Sequence, residues 1–191
     1  MRKARIGVVC LTRKTYDYET AFSLYLSHCE EMEKDTSVQW KIYKENVIEP
    51  EDASRAIHYL LQEEVDAVIM VSGTFHLGHL ALMINDALKK PILLWGFDEL
   101  PYNGGKIRLN AVCGVNLDAS NYKVKRERFF EKDIKNIIND VMKSKDEVKL
   151  DPMNSYQRRI VHSVASEYYN IETESFGEEP ERYVVIRYVE K

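Results

Sequence analysis

Residues 65–97, VDAVIMVSGTFHLGHLALMINDALKKPILLWGF, decide the fold of this chain. Val65–Val71 is a continuous apolar run stopped by Ser72-Gly73, as expected of a strand buried on both faces. Leu80, Ile84 and Leu88 then recur at helical spacing, and Pro91–Gly96 is a second apolar run. A strand, a helix and a strand with short connections make a parallel crossover unit. Working outward, residues 5–11 (RIGVVCL) read as another central strand, and residues 19–33 as a helix carrying Ala21, Phe22, Leu24, Tyr25, Cys29 and Met32. Val38–Tyr43 is a short alternating strand, and Pro50 opens a helix with the stripe Ala53, Ile57, Leu60 and Leu61. Four such repeats imply right-handed crossovers and a doubly wound parallel sheet.

The remainder is less regular. Residues 107–117 (IRLNAVCGVNL) are expected as a fifth strand broken by Gly114. Residues 122–142 read as a long amphipathic helix with Phe130, Ile134, Ile137, Ile138 and Val141 on one face, and the polar stretch 143–151 as a boundary. Asn154 with Gln157 is a capping-box start for a helix to about Tyr168, with Ile160, Val161, Val164 and Ala165 inward. IETESF, the turn Gly177–Pro180 and the β-prone run Tyr183–Val189 follow. So short a tail cannot bury much core alone and is expected to dock on the long helix. The expected architecture is an α/β chain: a flavodoxin-like doubly wound parallel sheet over residues 1–121, a bridging helix over 122–145, and a small α/β domain over 146–191.

Composition narrows the function. The chain has 191 residues, 30% of them charged, with a net charge of −4. That balance argues against a general nucleic-acid coat. The charge is uneven: residues 1–120 hold 13 basic against 17 acidic side chains, whereas residues 122–145 hold 8 against 4. Any nucleic-acid contact is therefore expected on a local patch. No long apolar run suggests a membrane span or a leader, and three scattered cysteines fit a reducing cytoplasm.

In an open α/β sheet, ligands sit at strand C-termini beside the switch point, here Thr12–Tyr18 and Ser72–His79. The second loop, SGTFHLGH, offers backbone N–H groups and hydroxyls for an anion or a sugar, or is simply a helix cap and tight turn. Neither dinucleotide nor P-loop glycine signatures occur, so no nucleotide cofactor is expected. His76 and His79 lack a third ligand at a recognisable spacing, and no metal is expected. The blocks IGVVCLTR, VSGTFHLGHLALMINDALKKPILLWGFDELP and GGKIRLNAVCGVNL resemble the N-terminal domain of the L-fucose/L-arabinose isomerase superfamily over residues 1–118. Members are manganese-dependent ketol isomerases whose metal ligands come from later domains. The resemblance implies no catalytic residues here, but a possible small-sugar pocket at Ser72, Thr74, His76, Trp95 and Glu99.

In the tail, Arg158 and His162 are one helical turn apart and share a face. Such a pair can grip a phosphate, or pair with the abundant glutamates of the tail. Arg159 adjoins them, Arg182 and Arg187 extend the surface if the last strand packs beside the helix, and Tyr156 or Tyr183 can stack on a base. The string MNSYQRRIVH…ETESFGEEPERYVVI resembles the small R-x-x-x-H domain that ends the Jag family of cytoplasmic RNA-binding proteins. Residues 117–149 resemble the final strand and helix of the KH domain that precedes it there, without the Gly-x-x-Gly clamp. These resemblances imply a non-catalytic, cytoplasmic protein that binds single-stranded RNA or DNA, as a natural recombination or an artificial fusion. Its contacts would be Arg158, Arg159, His162, Arg182 and Arg187, with Lys123, Lys125, Arg126 and Arg128 on the preceding helix. The alternative is a sugar-binding or scaffold domain derived from an isomerase. A monomer or weak dimer is expected.

Overall fold

A computed structural model describes residues 2–101 and 107–190. The chain divides into two compact units, Met1–Tyr122 and Lys123–Lys191. In the first, β1 (Arg5–Leu11), α1 (Tyr18–Met32), β2 (Gln39–Val47), α2 (Pro50–Gln62), β3 (Ala67–Ser72), α3 (Gly78–Leu88) and β4 (Ile92–Gly96) alternate as the periodicity predicts. All pairings are parallel and the strand order is β2-β1-β3-β4, so the order reverses between β1 and β3. This is the doubly wound α/β sheet expected from the repeats.

Each sheet face has its own core, which is why the central strands read as unbroken apolar runs. Val9, Leu11, Val68 and Met70 pack on one face with Ala53, Ala56 and Leu60 of α2 and Leu80 and Ile84 of α3. Val8, Cys10 and Val71 pack on the other with Ala21, Tyr25 and Cys29 of α1. Tyr25 is fully buried, and its hydroxyl lies 2.9 Å from both the Val8 and the Tyr43 carbonyls. The polar tip of that ring thus remains satisfied inside the core.

Three expectations need correction. β2 runs to Val47, because a register shift between Val8 and Cys10 lets pairing resume at Asn46. No strand forms over residues 107–117; instead α4 (Ala111–Ser144) begins there and continues for 34 residues. Its first turns bury Ala111, Gly114 and Asp118, a helical spacing that short-range alternation concealed. The strand expected from the KH resemblance at residues 117–122 is absent for the same reason.

Gly114 permits the close approach of this helix. A Cβ there would lie 2.2 Å from Ser72 Oγ and 3.1 Å from His76 Nδ1. His76 is sealed, its Nε2 3.0 Å from Asp118 Oδ2 on α4.

The second unit holds the later turns of α4, then β5 (Val148–Lys149), α5 (Ser155–Ala165), β6 (Ile171–Phe176) and β7 (Tyr183–Tyr188). Its antiparallel sheet has the order β5-β7-β6. The core joins Ile134, Ile138 and Val141 of α4 to Val161 and Val164 of α5, and to Ile171, Val184 and Ile186 of the sheet. The tail therefore docks on the long helix. The Asn154–Gln157 capping box forms in both directions. β5 was hidden in a polar stretch, where two paired residues leave no periodicity to read.

Gly114→Ala tests the close approach. It should destabilise the first unit by about 1–3 kcal/mol, the usual cost of overpacking, and lower its melting temperature by several degrees. Calorimetry of the full chain reads this directly.

Candidate nucleic-acid interface

Arg158 lies on the inward face of α5 with Val161 and Val164, and it is only 8% exposed. A guanidinium so placed must find partners. Its Nη1 donates to the Met153 carbonyl at 2.7 Å, and its Nη2 pairs with Glu179 Oε1 at 2.7 Å. Glu179 comes from the turn between β6 and β7 and is itself more than half exposed.

His162 follows one turn later. Its Nδ1 lies 2.7 Å from Thr173 Oγ1 and its Nε2 lies 2.9 Å from Ser175 Oγ. Both hydroxyls stand on β6, two residues apart and so on one side of the strand. Desolvation holds the imidazole below its ordinary value near 6.5, and the positive charges of Arg158 and Arg182 add to the effect. The ring is thus neutral at pH 7, fixed in plane by two hydroxyls that can each donate or accept.

Arg182, just before β7, completes a cationic group around the imidazole. Its Nε is buried and, among the described residues, has no hydrogen-bond partner. A buried N–H left unpaired costs about 1–3 kcal/mol, so an acceptor brought to it would be favoured.

The expected outward projection of Arg158 and His162 is not what the structure shows. The amphipathic face of α5 turns both inward, and the hairpin supplies the carboxylate and hydroxyls that hold them. Arg187 also departs from expectation. Val184 and Ile186 point into the core, so Arg187 faces the opposite side of β7. There it bonds Glu147 at 2.9 Å and Glu174 at 3.4 Å and lies over the Phe176 ring. Arg159 is exposed, one position around the helix from Arg158.

On α4, Lys123, Arg126 and Arg128 are exposed and Lys125 is half-buried. Lys123 Nζ lies 5.6 Å from the Tyr156 ring centre, and the Tyr156 hydroxyl donates to Glu127 at 2.8 Å. Lys125 Nζ lies 5.6 Å from the Phe129 ring centre. Tyr183 stacks on Phe176 beneath Lys149 Nζ, away from His162. Sequence reading missed Thr173, Ser175 and Glu179. A T-x-S pair on a short strand and a glutamate before proline were the available signals.

The residues named for a sugar pocket do not meet in an open site. Ser72, Thr74 and His76 are buried. Ser72 Oγ donates within the fold, 3.0 Å from both the Thr74 and the Ala111 carbonyls, and Thr74 Oγ1 accepts from Arg13 N–H. Trp95 packs edge-on against His28 and Phe97. Glu99 accepts backbone N–H groups from Leu100, Arg108, Leu109 and Asn110. Burial pushes its carboxyl up, but those donors outweigh it and hold the value low. Among the described residues, no group of three His, Cys, Asp or Glu side chains is placed to hold a metal. No described helix is long and apolar enough to cross a membrane.

Two family models match the chain. That of the fucose/sulfoquinovose isomerase N-terminal domain covers residues 7–151. That of the R-x-x-x-H domain, named for its arginine–histidine spacing, covers residues 128–188. The matches overlap over residues 128–151, which include the later turns of α4. Two curated relatives, each an "RNA-binding protein KhpB", align with the chain. The protein of Clostridium symbiosum is 43% identical over 72 residues, covering 38% of this chain and 32% of the relative. That of Bacillus subtilis (strain 168) is 38% identical over 74 residues, covering 38% of this chain and 36% of the relative. The chain thus spans about a third of the length of these relatives.

The depressed imidazole has a measurable consequence. Between its lowered value and about 6.5 the unfolded chain binds more protons than the folded one, so stability rises with pH there and is lost as pH falls through that window. His162→Gln should flatten this dependence below neutrality. Thermal unfolding of both proteins from pH 7.5 down to pH 5 checks it (about the window set by ordinary histidine titration).

Proposed function

The chain belongs to the fucose/sulfoquinovose isomerase N-terminal domain family, and with that as the premise we propose that its function resides in the second unit, as a binder of single-stranded RNA or DNA. The match to the R-x-x-x-H domain over residues 128–188 carries this reading. The relatives' printed description as RNA-binding proteins supports it.

The geometry supplies a way to bind. Arg158, His162 and Arg182 lie around one point between α5 and the hairpin, with Glu179 as the exposed counter-charge. A phosphate oxygen presented there replaces the Glu179 carboxylate on the guanidinium and gives Arg182 Nε an acceptor. Exchange of one anion for another leaves Arg158 paired throughout, which avoids stranding a buried charge. His162 contributes a neutral N–H once a hydroxyl of β6 rotates to accept from its other nitrogen. Arg159, with Lys123, Arg126 and Arg128 on α4, lies at the surface and is suited to trailing phosphates.

The sugar-binding alternative lacks comparable support, since Ser72, Thr74 and His76 are buried and bonded within the fold. We place the protein in a reducing compartment, the cytoplasm, because its cysteines are free and Cys113 is exposed.

Fluorescence anisotropy with a labelled single-stranded oligonucleotide tests the reading. Saturable binding should weaken with salt, with a log–log slope of about −2 if three phosphates are neutralised. Arg182→Ala and His162→Ala should each weaken binding several-fold, and Glu179→Gln should strengthen it. No saturable signal at low salt, or indifference to these substitutions, contradicts the proposal.

A further inference from the structure

We infer that the outer edge of β4 is a self-association surface, on which a second copy of this chain pairs antiparallel about Leu94. β4 ends the strand order, because the segment expected to add a fifth strand is wound into α4. The Pro91 carbonyl accepts from Val68 N–H on the β3 side. Alternation along the strand therefore turns the N–H and C=O groups of Ile92, Leu94 and Gly96 to the open side. About a twofold axis at Leu94 all of these find partners, Leu94 with Leu94 and Ile92 with Gly96. Leu93, 60% exposed, then stands opposite Trp95 of the second copy, and the pair recurs by symmetry.

Charge selects this occupant. The strand lies between Lys89-Lys90 and Asp98-Glu99, and all four side chains are exposed. In the antiparallel register centred on Leu94, Lys90 meets Asp98 and Lys89 meets Glu99, twice over. Parallel pairing sets lysine against lysine and is repelled, and a slipped register loses the match. Lysine and proline usually blunt an edge strand against association. Here the two ends carry opposite signs, so the edge repels a parallel copy and accepts an antiparallel one. Such a contact is isologous and closes at the dimer. It is independent of the nucleic-acid reading and stands or falls without it.

Sedimentation of the full chain from micromolar to millimolar concentration tests the inference. A monomer–dimer equilibrium is expected. Lys90→Glu and Asp98→Lys should each weaken it about tenfold or more, because two attractive pairs become repulsive. Mixing the two variants in equal amounts should restore association, since opposite charges face each other again at both sites. A chain monomeric throughout overturns the inference. So does a dimer that neither variant weakens, or one that the mixture fails to restore.

Discussion

Residues 111–144 must serve two cores with one helix, and much of the rest follows from that constraint. At one end of α4, Ala111, Gly114 and Asp118 are buried in the first unit, with Gly114 against Ser72 and Asp118 on His76. At the other end, Ile134, Ile138 and Val141 are buried in the second. Between them, residues 119–133 include no buried side chain. Two family models claim overlapping parts of this stretch, which is reasonable for a helix whose turns satisfy different partners. A single wrong period would uncover one core or the other.

The same helix leaves the parallel sheet with four strands and an open edge. It also seals the switch-point loop, where Ser72, Thr74 and His76 spend their hydrogen bonds inside the fold. Polar groups that satisfy one another in a buried network stabilise a loop but offer little to a ligand. The second unit keeps its polar groups differently. Arg158 is held by one backbone carbonyl and by an exposed carboxylate that can leave. That contrast, more than net charge, assigns function to the second unit.

The repeating part of the fold was legible because strands buried on both faces and amphipathic helices leave strong periodic signals. Val65–Val71 and the Leu80, Ile84, Leu88 stripe are examples. IRLNAVCGVNL was misleading because its small residues pack at helical spacing while its apolar residues alternate over a few positions. In the tail, the Arg158–His162 spacing was legible, but its direction was not. Whether that face looks outward depends on the hairpin, and Thr173, Ser175 and Glu179 lie between 11 and 21 residues further along the chain. Arg187 was misplaced for a similar reason, since one residue of strand register decides which face it takes.

The account rests on the claim that an anion from single-stranded nucleic acid enters between α5 and the β6–β7 hairpin. Nuclear magnetic resonance of the labelled full chain, titrated with a short single-stranded oligonucleotide, tests this most directly through the side-chain signals of Arg158, Arg182 and His162. The account predicts that the Arg182 Nε–H and the His162 ring shift together and saturate together, while Arg187 on the opposite face stays unmoved. Shifts confined to the Arg187 face, or none at saturating oligonucleotide, would contradict it.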